Sequence, residues 1–148
     1  MANVIETLVA TSPIKSTPEK FYNFFKYDIN DLVKVFPACF KGVQVLEGEE
    51  ATVGCVKLWS YVLGGIPMTA KERIEAINDA EKSLTIAVIG GDLMRLYKSF
   101  SFTLNASEGL AKWTFAFEKL TILTPPPELY IPLAITITTL VDAFLLIN

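Results

Sequence analysis

The apolar residues between Phe40 and Leu120 follow a period of two through six runs: Val43–Leu46, Val53–Val62, Met68–Ile77, Leu84–Ile89, Tyr97–Leu104 and Leu110–Leu120. Turn-forming residues separate them, at Glu47-Gly48-Glu49-Glu50, Gly64-Gly65, Asn78-Asp79, Gly90-Gly91-Asp92 and Asn105–Gly109. Connections this short join antiparallel neighbours, because parallel neighbours need crossovers of a dozen residues or more. The pattern therefore predicts an antiparallel meander. A further strand is expected over Val4–Ala10, bounded by Thr11-Ser12-Pro13. Ser16-Thr17-Pro18-Glu19 then opens a helix: Ser16 or Thr17 can cap it, proline suits its first turn, and Glu19 favours its positive end. Phe21, Phe24 and Phe25 recur at helical spacing, and a second short helix runs to about Phe36, before Pro37.

Thr124-Pro125-Pro126-Pro127 ends the period-two region, and Glu128–Ile147 reads as one long helix. No charged residue lies between Glu128 and Asp142. A helix apolar around most of its circumference is buried on more than one side or lies in a membrane. Leu129–Val141 is short of the roughly 20 residues that span a bilayer, so the expectation is a helix gripped by a curved sheet, with no transmembrane segment.

Apolar residues make up 51% of the 148, charged residues only 20%, and mean hydropathy is +0.41. A single domain of this length has unusual apolar surface to hide, in a packed core or in a core with a lined cavity. The hydrophobicity excludes disorder. A net charge of −3 without a basic cluster argues against nucleic acid as a partner. The chain has no histidine, and its two cysteines, Cys39 and Cys55, make no metal motif and no disulfide framework. The commonest metal ligand and the Ser-His and Cys-His pairs are thus missing. Any chemistry falls to Lys, Asp, Glu, Tyr, Ser or Thr, with no metal and no cofactor expected. The N-terminus lacks a basic start and carries Glu6 inside its apolar stretch, which is not a secretory pattern; a cytoplasmic protein is the expectation. The glycines of Gly48–Gly54 lack a following helix and a Gly-Lys-Ser/Thr ending, and Glu47, Glu49 and Glu50 would repel phosphate.

Strand alternation yields a map of faces. Trp113, Phe115 and Phe117 share one face of the last strand; Phe100, Phe102 and Leu104 share one face of the strand before it; Leu84, Ile86 and Val88 continue the set. These faces are expected to look toward the long helix. Lys57, Trp59 and Tyr61 share a face with Cys55 beyond them, although Val56, Leu58 and Val62 on the other face are also apolar. Ala70, Glu72 and Ile74 share a face of the next strand, opposite Lys71, Arg73 and Glu75.

Motifs in order along nearly the whole chain are Pro18-Glu19-Lys20-Phe21-Tyr22, Leu46-Glu47-Gly48 with Thr52-Val53-Gly54, Lys57-Leu58-Trp59-Ser60-Tyr61 and Ala70–Ile77. They continue with Gly91-Asp92-Leu93-Met94, Tyr97-Lys98-Ser99-Phe100, Lys112-Trp113-Thr114 and Glu118-Lys119-Leu120. Taken together they resemble the major latex proteins of plants, in the birch-pollen-allergen and pathogenesis-related superfamily. The chain departs from that pattern at Glu50 and Ala51, where a glycine and often an aromatic are usual, and at Gly90, where the family has glutamate. Phe117 replaces a tyrosine, and Thr139–Phe144 replaces a segment often rich in Lys, Asp and His.

The resemblance implies an α+β helix-grip (START-like) fold: a seven-stranded curved antiparallel sheet around a long C-terminal helix, with two short helices after the first strand. It also implies a ligand cavity between sheet and helix. The residues expected to line it are Trp59, Tyr61, Ala70, Ile74, Leu84, Ile86, Phe100, Phe102, Trp113, Phe115 and Phe117, with Ile131, Ile135, Thr138 and Thr139 from the helix. Lys57 is expected to turn inward, where it and Glu72 would form a buried pair or, alternatively, a plain surface salt bridge. Candidate catalytic groups are Lys57, Tyr61, Glu72 and Asp142. The implied partner is a small apolar, terpenoid-like metabolite, with neighbouring pathway enzymes as further partners and a monomer or weak dimer as the assembly. Superfamily relatives include condensing, cyclising and isomerising enzymes of specialised metabolism. The polar-to-apolar departures favour an iridoid-type terpenoid cyclase over an amine-handling enzyme. A non-catalytic carrier and a hormone-receptor-like interaction module are the alternatives.

Overall fold

A computed structural model describes residues 4–148 of the chain. Its strands are β1 (Glu6–Pro13), β2 (Phe40–Glu47), β3 (Val56–Leu63), β4 (Ile66–Asn78), β5 (Ser83–Gly91), β6 (Tyr97–Ser107) and β7 (Leu110–Lys119). They form one seven-stranded antiparallel sheet in the order β1-β7-β6-β5-β4-β3-β2. Strands β2 to β7 are the meander that the short turns demand, and β1 closes onto β7. The helices are α1 (Pro18–Tyr27), α2 (Leu32–Val35) and α3 (Tyr130–Ile147), with a 3-10 turn at Ile29–Asp31 before α2. This is the α+β helix-grip arrangement.

Every strand is bounded somewhat differently from the apolar run that predicted it, and two of the differences have a clear physical cause. β1 continues through Thr11, Ser12 and Pro13, which pair with Lys112, Ala111 and Leu110. A proline is tolerated there because β1 is an edge strand. β3 begins at Val56 rather than Val53, since residues 48–55 form the β2–β3 loop, in which Gly48 and Gly54 take positive φ.

The start of α1 follows its sequence signals: the Lys20 N–H donates to the Thr17 hydroxyl at 3.2 Å, Pro18 opens the helix, and Phe21, Tyr22, Phe24 and Phe25 are buried. Alternation places Ala111, Trp113, Phe115 and Phe117 of β7 inside, together with Leu84, Ile86 and Val88 of β5. In β6 a register shift between Tyr97 and Ser99 resets the alternation, which buries both Tyr97 and Phe100 despite their odd spacing.

Helix α3 corrects one expectation. Only one stripe of it is buried, carrying Ala134, Ile137, Thr138, Val141 and Asp142. Its outer side leaves Ile135 39%, Leu146 52% and Ile147 83% exposed. The opposite side of the helix is left largely uncovered by the described residues. By length and composition alone, these 18 residues with mean hydropathy 2.0 match a bilayer-crossing helix; the apolar run resumes past Asp142, beyond the Leu129–Val141 stretch. In this fold α3 supplies one wall of the core.

Candidate functional site

Between sheet and helices lies a partly open cavity of about 90 Å³. From the sheet it is lined by Phe40, Trp59, Tyr61, Glu72, Leu84, Ile86, Phe102, Leu104, Trp113 and Phe115. From the helices come Phe25, Ile29, Leu32, Tyr130, Leu133, Ala134 and Ile137. A smaller hollow of about 20 Å³ adjoins it, with Phe25, Ile29, Trp59, Glu72 and Ile86 common to both, and Lys26, Cys55, Lys57 and Ile74 on its own side. The walls are ring-rich: Trp113 meets Phe25 edge-on at 5.4 Å and Phe102 at 6.2 Å, and Trp59 meets Phe40 at 5.5 Å.

Few polar groups reach this space. The Tyr61 and Tyr130 hydroxyls share a hydrogen bond of 2.5 Å, joining β3 to the first turn of α3. Burial pushes Tyr61 up to about 12 and raises Tyr130 further, so both stay protonated. One proton serves the bond between them and the other is free for a guest. The Trp113 indole N–H is already committed to the Thr138 hydroxyl at 2.8 Å.

Glu72 is the exceptional group. It faces both hollows, and among the described residues its carboxyl has no hydrogen-bond partner. Desolvation pushes it up to about 8, against a smaller opposing pull from Lys57. By accessible surface the residue as a whole is half-buried. At neutral pH the carboxyl is largely protonated, an acid that can donate a hydrogen bond or a proton inside an apolar chamber.

The expected Lys57–Glu72 ion pair does not form. The two residues are opposite in the β3–β4 register, and Lys57 is only 7% exposed. Its ammonium, however, lies 2.7 Å from Glu50 Oε1 and donates to Asn30 Oδ1 at 2.7 Å, while Asn30 Nδ2 donates to the same Glu50 oxygen at 2.6 Å. Glu50, held below its ordinary range by Lys57 and then by Asn30, supplies the nearer anion. Lys57 thus faces the smaller hollow from a closed triad with the β2–β3 loop.

The other sequence candidates divide by position. Trp59, Tyr61, Leu84, Ile86, Phe102, Trp113 and Phe115 line the main cavity, and Ile74 lines the smaller one. Ala70, Phe100, Phe117 and Thr138 are buried behind these walls. Ile131 is half-buried, while Ile135 and Thr139 are exposed, so none of the three is on the lining stripe of α3. Asp142 is a structural pin: it accepts from the Lys15 N–H at 2.9 Å, the Ser16 N–H at 2.8 Å and the Ser16 hydroxyl at 2.6 Å. Those bonds consume its carboxylate away from the cavity.

The sequence reading missed Tyr130, Leu133, Ala134 and Ile137 from α3, and Phe25, Ile29, Leu32 and Phe40. The former recur at three- and four-residue spacing, but the remaining positions of the helix are apolar as well, so that spacing alone did not single them out. Among the described residues no group of His, Cys, Asp and Glu is placed to hold a metal ion.

Residues 3–148 match the model of the pathogenesis-related protein Bet v 1 family. Major latex protein 146 of Papaver somniferum is 34% identical over 88% of this chain and 85% of its own length. MLP-like protein 34 of Arabidopsis thaliana is 34% identical over 95% of this chain, which spans only 46% of that relative. The crystal structure of ginseng major latex-like protein 151 from Panax ginseng superposes with a TM-score of 0.92 at 30% identity, covering 95% of this chain and 97% of that one. A ring-lined cavity under a gripped helix and agreement along essentially the whole chain lead to one assignment: the chain belongs to the pathogenesis-related Bet v 1 family, in its major latex protein branch.

Proposed function

We propose that this chain binds a small apolar, terpenoid-like metabolite bearing a carbonyl or hydroxyl oxygen, and steers cyclisation or isomerisation of a reactive intermediate, an iridoid-type step. The carrying observation is the Glu72 carboxyl, without a hydrogen-bond partner, in a ring-lined cavity whose other polar groups are the paired Tyr61 and Tyr130 hydroxyls. Burying ten carbons at about 0.8 kcal/mol each yields about 8 kcal/mol gross, the scale of micromolar binding before ordering costs. An apolar cavity of about 150 Å³ holds benzene, so a ten-carbon guest widens this one on entry. Half-buried linings such as Phe102 and Leu133 are the parts that give way.

A substrate that is already reactive needs little from the protein. Enclosure excludes water and holds one near-attack shape. The Glu72 acid and the free phenol proton then orient or protonate a developing enol or carbonyl oxygen. Location in the cytoplasm and contact with neighbouring pathway enzymes belong to the same reading.

The test is incubation with a reactive monoterpenoid enol or dialdehyde while product stereochemistry is followed, beside a binding titration. A product ratio shifted by the wild type and restored to background by Glu72→Gln supports steering. Binding with an unchanged ratio assigns a carrier instead.

A further inference from the structure

The triad at the cavity's end explains why Glu72 stands alone. Antiparallel register places Lys57 and Glu72 side by side on the inner face. With nothing else nearby, a buried ammonium and a buried carboxyl at such positions would pair, because each alone is costly to bury. Glu50 interrupts that outcome from the β2–β3 loop. Its side chain, 49% exposed, reaches in to meet Lys57 at 2.7 Å, and Asn30 from the 3-10 turn bridges both partners. Glu50 occupies a place where glycine is usual in the resembled pattern, so the competing anion is a feature of this chain.

We infer that Glu50 is a positioning residue: by drawing the Lys57 ammonium into the β2–β3 loop it leaves the Glu72 carboxyl as a neutral donor toward the cavity, and so sets the site for guests with an uncharged acceptor oxygen. This deepens the function proposed above and rests on it for the identity of the guest. The groups facing Glu72 are few. They are Lys57, Tyr61 and, just before β3, Cys55, then Tyr130 from α3 and Lys26 from α1; β5 presents Ile86 and Val88. Lys26 is occupied, its ammonium 2.8 Å from Asp79. The tyrosines and Cys55 are neutral near pH 7, since burial raises all three. Among the described residues facing Glu72, Lys57 is therefore the cation in a position to exchange partners, and Glu50 decides which carboxylate it takes.

The experiment is carboxyl-carbon NMR titration of the guest-free chain labelled at glutamate, with the Glu72 signal assigned by its loss in Glu72→Gln. In Glu50→Gln the Glu72 midpoint is expected to fall by about one unit or more, as Lys57 turns to it. Glu50→Ala repeats the measurement if the glutamine variant misfolds. Adding Lys57→Met to either variant is expected to abolish the fall, which a general loosening of the loop would not do. A Glu72 midpoint unmoved by both Glu50 variants overturns the inference, as does a fall that persists without Lys57. Titration with citral, a neutral monoterpenoid aldehyde, runs alongside. Failure of the wild type to bind citral sinks the cavity reading and leaves the NMR result intact, so the two failures are distinguishable.

Discussion

The Trp113 indole N–H donates to the Thr138 hydroxyl at 2.8 Å, and that hydroxyl donates to the Ala134 carbonyl at 2.9 Å. One fully buried side chain thereby fastens β7 to α3 across the core. Thr138→Val keeps the shape and removes the acceptor, leaving the indole N–H orphaned. The expected loss is about 1–3 kcal/mol of unfolding free energy, read by urea denaturation as a lower midpoint with unchanged slope.

Asp142 holds the C-terminal helix to the connection between β1 and α1. Burial pushes its carboxyl up, but bonds from Ser16 and Lys15 outweigh that and hold it below its ordinary value. A depressed native value means stability that is present above the unfolded value, near pH 4, and lost as pH falls through the native one. Asp142→Asn is expected to cost about 2 kcal/mol at pH 7. It should also flatten the acid limb of thermal unfolding measured from pH 5 to pH 2.

Glu72 works in the opposite direction. Its native value near 8 exceeds the ordinary 4.5, so between those limits the folded chain holds a proton that the unfolded chain has released, and stability falls as pH rises. At about 1.4 kcal/mol per unit, up to about 3 kcal/mol is lost between pH 4.5 and 7. Glu72→Gln is expected to be the more stable protein at pH 8, with the difference fading toward pH 4.5. Melting temperatures of the two proteins across that range check the sign.

Ala134 lines the cavity from α3 and is itself buried. Ala134→Leu puts its extra bulk into existing space, so stability should hold or rise within about 1 kcal/mol. Citral affinity should drop at least about tenfold, about 1.4 kcal/mol, in a fluorescence titration. Undiminished affinity would place the guest elsewhere.

Gly91 tests the backbone. Its φ is +98°, and a Cβ there would lie 2.3 Å from the Thr69 carbonyl oxygen, closer than any relaxation of side chains can relieve. Gly91→Ala is expected to cost about 2–4 kcal/mol. Gly42→Ala, where a Cβ meets nothing within 4 Å, should stay within about 0.5 kcal/mol. Paired denaturation curves distinguish the two.

The sheet was legible where a strand has one dry face: in β7, Trp113, Phe115 and Phe117 alternate with Lys112, Thr114 and Glu118, and burial follows that alternation. The inner face of α3 was not. Its residues are apolar all around, so hydropathy carries no phase, and the choice of Ile131, Ile135 and Thr139 turned the helix away from the stripe formed by Tyr130, Leu133, Ala134 and Ile137. Lys57 was placed inside through the resemblance, but its partner was not readable from strand spacing. Register named Glu72; the loop conformation that brings Glu50 within 2.7 Å is a tertiary fact. Asp142 looked chemical because it is the only charge in the tail after Glu128, and only the fold shows the three donors that occupy it.

The hollow between sheet and helix also governs how the protein responds to hydrostatic pressure. Unfilled volume inside a native state is recovered when the chain unfolds or when solvent enters, so compression favours both. A guest that occupies the space removes that deficit. The loaded protein is therefore stiffer against compression than the empty one, even where the two melt at similar temperatures.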